Sequence, residues 1–96
     1  MNLINVAVYG NRTLGPYNER TADLLLVGQF QLPDLGSSML ALEYVVGQIN
    51  NRSRAKFVAP IVEQLGRNIR TGDAISLDGK DYLVTGPNQF EEYKVA

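Results

Sequence analysis

The chain has 96 residues, 45% of them hydrophobic and 20% charged, with 9 basic side chains against 10 acidic ones and a net charge of −1. That is the composition of one ordinary globular domain, with no room for a second. Histidine, cysteine and tryptophan are absent, which excludes thiol nucleophiles, disulfides, Cys/His zinc sites and every Ser-His or Cys-His catalytic arrangement.

Met1 to Asn5 has neither the basic lead-in nor the apolar run of an export signal, so a cytoplasmic location is expected. The most apolar windows, 24–27 and 39–46, fall far short of the roughly 20 residues that span a membrane, so no membrane contact is expected. Ile4, Val6 and Val8 alternate with Asn5, Ala7 and Tyr9, the period of a first strand. Gly10-Asn11 stops it, and turn formers through Asn18 predict a loop that carries Tyr17. Thr21 to Leu32 form the second extended stretch. Leu24, Leu26, Phe30 and Leu32 share one face, and Gln29 and Gln31 share a face that meets solvent. Leu25 and Val27 add apolar groups to that second face, which implies cover on both sides of the strand's first half.

Gly36-Ser37-Ser38 offers a serine cap to a helix over Met39–Asn50. Its stripe of Met39, Leu42, Val45, Val46 and Ile49, widened by Leu40 and Tyr44, predicts a mostly buried helix. A second helix is expected from about Ala55 to Arg70, with Phe57, Val58, Ile61, Val62, Leu65 and Ile69 inward and Lys56, Glu63, Arg67 and Arg70 outward. Pro60 requires that helix to begin near Ala59 or to bend there, and Thr71-Gly72 is the expected stop. Asp78-Gly79 then joins 74–77 to 80–84 as a hairpin with a type I′ turn. The two-residue turn sets the register Leu77–Lys80, Ile75–Tyr82, Asp73–Val84 and places Leu77, Ile75, Tyr82 and Val84 on the core side. After Gly86-Pro87-Asn88, Phe90 to Val95 adds a charged edge strand. The order β-β-α-α-β-β, with that last strand an addition, predicts a single α+β domain: a mostly antiparallel sheet with two helices on one face. A small barrel of the later strands is the alternative.

No phosphate loop is present, and Glu91-Glu92, adjacent on a strand, cannot converge on one bond. Neither a cofactor, a metal nor an enzyme activity is expected. Two features suggest contacts instead. Arg52, Arg54, Lys56, Arg67 and Arg70 lie within 19 positions that hold one acid, Glu63, and form a candidate surface for nucleic acid or a phosphorylated ligand. A solvated helix face with a Glu63–Arg67 pair is the simpler reading of the same residues. Tyr9, Tyr17, Leu40, Tyr44, Phe90 and Tyr93 are candidate protein contacts, with a second subunit one way to cover Leu40, Tyr44 and Val46. The chain therefore reads as a small non-catalytic binding or assembly protein, self-associating or bound to another protein. That profile fits an accessory protein of a bacterium or its virus. A virion or other assembly subunit using the hairpin edge and Phe90–Val95 for strand addition is the alternative.

Overall fold

A computed structural model of the chain describes residues 2–13 and 23–95. Its elements are β1 (Leu3–Asn11), β2 (Leu24–Pro33), α1 (Ser38–Asn50), α2 (Val58–Leu65), β3 (Ala74–Leu77), β4 (Lys80–Gly86) and β5 (Gln89–Glu92). The strands form one antiparallel sheet in the order β2-β1-β3-β4-β5, not a barrel. The fold is α+β. The loop bearing Tyr17 lies outside the described residues.

The β3–β4 hairpin follows from its turn. Asp78 and Gly79 both hold positive φ, 49° and 83°, which a type I′ turn demands. The register is Leu77–Lys80 and Ile75–Tyr82, as the sequence predicts, and the Val84 N–H donates to the Asp73 carbonyl at 2.8 Å. Ile75, Leu77, Tyr82 and Val84 are all buried, and they join Val6, Val8 and Leu32 in facing the helices.

β2 departs from the expected pattern. Val8 faces Gly28 but Tyr9 faces Leu26, so Val27 is an extra residue and β2 bulges there. A bulge shifts the two-residue period, so Leu24 and Leu26 fall on the side of Gln29 and Gln31 rather than with Phe30 and Leu32. Leu25 and Leu26, expected to be covered, are 44% and 43% exposed.

Ser37 caps α1, its Oγ accepting the Leu40 N–H at 3.1 Å. The helix buries Ala41, Leu42, Val45 and Ile49, while Met39, Leu40 and Tyr44 stay exposed, so it is less buried than its composition suggests. α2 begins at Val58, with Pro60 in its first turn where no backbone donor is lost. It ends at Gly66, not at Thr71-Gly72: Gly66 turns left-handed at φ 73° and its N–H closes on the Val62 carbonyl. Ile69 still reaches the core, but from irregular backbone pinned by its N–H to Asn50 Oδ1, so its spacing from Leu65 mimics a helical stripe.

α2 approaches the sheet closely because two glycines face it. A Cβ on Gly28 would lie 2.5 Å from Ile61 Cγ1, and one on Gly10 would lie 2.8 Å from Leu65 Cδ1. Phe57 at the start of α2 stacks on Phe30 with centroids 4.0 Å apart. No helix among the described residues is long and apolar enough to cross a membrane.

Candidate functional site

The segment between α2 and β3 carries the densest polar chemistry of the described structure. Asp73 is fully buried, and its carboxylate accepts four hydrogen bonds of 2.8 Å each. Two come from Arg67 Nη1 and Nη2 in a bidentate fork, and two from the backbone N–H groups of Asn11 and Arg70. A carboxylate offers about four acceptor positions, and all are taken here, which leaves none for a substrate proton. Asn11 extends the knot: its Nδ2 donates to the Gly72 carbonyl and its Oδ1 accepts from the Thr13 N–H. These bonds tie the end of β1 to the start of β3.

This knot reassigns part of the basic segment. Arg67 and Arg70 lie beyond α2, and the expected Glu63–Arg67 pair gives way to Arg67–Asp73. Arg70 Nη2 donates to the carbonyls of Asn11 and Thr13 at 3.2 and 3.5 Å. Arg52 Nη1 donates to the Asn50 carbonyl and to Asn68 Oδ1, which brings Arg52 beside the same segment. Arg54 and Lys56 are exposed and make no hydrogen bond or ion pair among the described residues. The five basic residues thus do not share one helix face, and three of them already donate within the chain.

The aromatic candidates also separate. Leu40 and Tyr44, 54% and 41% exposed, share the outer side of α1, one helical turn apart. Phe90 and Val46, each partly buried, pack against the core. Tyr93 is half-buried and its N–H donates to the Asp81 carbonyl, while the Val95 N–H donates to Asp81 Oδ2. The terminal strand is therefore Gln89–Glu92, with residues 93–95 running on beside Asp81. Tyr9 is half-buried on the sheet face away from the helices.

Near β1 and β2 that face is uncharged, with polar groups at its middle and exposed Leu3 and Leu26 towards its ends. Asn5, Ala7, Tyr9, Gln29, Gln31 and Ser76 line a shallow groove of about 470 Å³, and Gln31 Nε2 donates to Asn5 Oδ1 at 2.9 Å. Amides and hydroxyls both donate and accept hydrogen bonds. Among the described residues no group of three His, Cys, Asp or Glu side chains is placed to hold a metal ion.

The two sheet edges differ in kind. β5 has four residues, includes Glu91 and Glu92, and is clipped to β4 by a 2.9 Å Lys80–Glu92 ion pair. The hydrogen bond and the attraction of Glu92 raise the Lys80 pKa above its ordinary value, a surface effect of small weight. Short length and charge are the usual protection of an edge. β2 has ten residues, LLLVGQFQLP, without a charge, and among the described residues it pairs with β1 alone.

Which backbone groups β2 leaves outward follows from its neighbours. The Asp34 N–H donates to the Asn2 carbonyl, while Asn5 points the other way, its carbonyl accepting from Asp78. Alternation along the antiparallel ladder then turns Gly28, Phe30 and Leu32 towards β1 and Gln29, Gln31 and Pro33 outward. Pro33 costs the sheet nothing there, since its missing N–H would have faced away.

The chain matches no protein-family model, no curated protein and no solved structure. Sequence reasoning missed both the Asp73 hub and the β2 edge. The second had a legible signal, ten successive residues free of charge between Asp23 and Asp34. The first had none, because Arg67 and Asp73 meet only once Gly66 ends the helix.

Proposed function

We propose that the protein is a non-catalytic binding or assembly module that engages a polypeptide partner through the outer edge of β2. The observation that carries this reading is the outward backbone of Gln29 and Gln31 on an uncharged ten-residue edge, beside a groove lined by Asn5, Tyr9, Gln29, Gln31 and Ser76. Main-chain hydrogen bonds supply affinity in strand addition, and the side chains of alternate residues select the partner. The strand addition expected from the sequence lies at the later hairpin and Phe90–Val95; the β2 edge is the better candidate, because charge and the Lys80–Glu92 pair blunt β5. The basic segment is the weaker candidate, because Arg52, Arg67 and Arg70 would exchange internal acceptors for an anion.

The test is sedimentation of the tagged chain in extract of the cells that make it, beside a Gln31→Pro variant. Proline at an outward position removes an edge donor and leaves the backbone ladder to β1 intact, giving up only the exposed Gln31–Asn5 side-chain bond. The wild type should travel in a complex larger than the 10.6 kDa chain, and the variant should fall back to the free chain. Both travelling as the free chain, or both in the same complex, would count against the reading.

A further inference from the structure

We infer that the occupant of the β2 edge is the β2 edge of a second copy, in an antiparallel two-fold pairing centred on Phe30. The inference rests on the reading of β2 as the contact surface and names the partner.

Three observations select a second copy. An antiparallel pairing of like strands must match outward residue to outward residue and face to face, so paired residue numbers differ by an even number along the regular run Gly28–Pro33. Centring on Phe30 sets Gln29 opposite Gln31 of the second copy, and Gln31 opposite Gln29. Each pair exchanges both of its backbone hydrogen bonds, four in all. The side chains of those pairs are amides on the open face, and an amide can donate to and accept from its own kind.

Second, the uncharged strand brings no like charges together when it meets itself. The position left opposite Pro33, which has no N–H, is the bulge residue Val27, where the ladder is already interrupted. Third, β5 is short and charged, so β2 has no complementary edge on a further copy. A pairing of β2 with itself closes after two chains, whereas β2 on β5 would run on as a fibre. On the helix side the Phe30–Phe57 stacks of the two copies meet at the axis, adding an apolar centre to the joined edges.

The experiment is sedimentation equilibrium of the purified chain over a wide concentration range. It should show a reversible equilibrium between the 10.6 kDa chain and twice that mass, with nothing larger. Gln31→Pro should weaken association about thirtyfold, the loss of two hydrogen bonds of ordinary net strength. Two charge variants at exposed positions test the register without burdening the fold. Gln29→Lys with Gln31→Lys sets like charges opposite and should abolish the dimer, whereas Gln29→Lys with Gln31→Glu sets opposite charges face to face and should restore it. A single species at 10.6 kDa up to millimolar concentration would overturn the second copy as partner. A larger complex in cell extract alone would then leave the edge itself standing. Open polymers, or a dimer indifferent to all three variants, would equally overturn the proposal.

Discussion

Asp73 shows how one residue can hold an irregular segment in place. Segment 66–73 has no regular structure of its own, yet it carries Ile69 into the core and opens β3. Its backbone is fixed by a carboxylate that gathers donors from β1, from Arg67 and from the Arg70 amide. Removing one member of such a cluster leaves the others desolvated and facing one another. Asp73→Asn sets an amide N–H₂ against donors and should cost about 2–4 kcal/mol in urea unfolding, the range for a buried pair reduced for the partial exposure of Arg67. A loss below about 1 kcal/mol would place the pair among ordinary surface bridges. None of this was legible in the sequence, where Arg67 counted as a helix-surface charge and Asp73 only as a position in the hairpin register.

At the scale of elements, what could be read depended on whether local chemistry decided the outcome. The hairpin was legible because Asp78-Gly79 dictates its own turn and the turn dictates the register. The start of α1 was legible because Ser37 is a cap in any context. The end of α2 and the bulge in β2 were not, since both are decided by packing. Gly66 competes with a continuing apolar stripe, and Val27, the extra residue of the bulge, packs against the core. The close approach of α2 to the sheet gives a direct test. Gly28→Ala pushes a methyl into Ile61 and should cost about 1–3 kcal/mol. Ile61→Ala should cost about 2–5 kcal/mol by the cavity it leaves. Combined, the two should cost less than their sum, because the alanine methyl enters the space vacated by Ile61. Strict additivity in urea unfolding would mean that α2 is not seated on Gly28.

For the whole molecule, the helices cover one face of the sheet, and among the described residues nothing covers its other face or pairs with the outer edge of β2. The sequence carried the fold class, and the strand addition it suggests, at the later hairpin and Phe90–Val95, differs from the proposed β2 edge. Strand order explains the difference. β1 lies between β2 and β3, so β2 is left outermost, a fact set by the long-range β1–β3 pairing that no local pattern reveals. The direct measurement is amide hydrogen exchange of the purified chain, followed residue by residue from dilute to concentrated solution. Exchange at Gln29 and Gln31 should slow as concentration rises, while Phe30 and Leu32, already bonded to β1, should not change. Outward amides that exchange equally fast at every concentration would contradict a self-pairing edge.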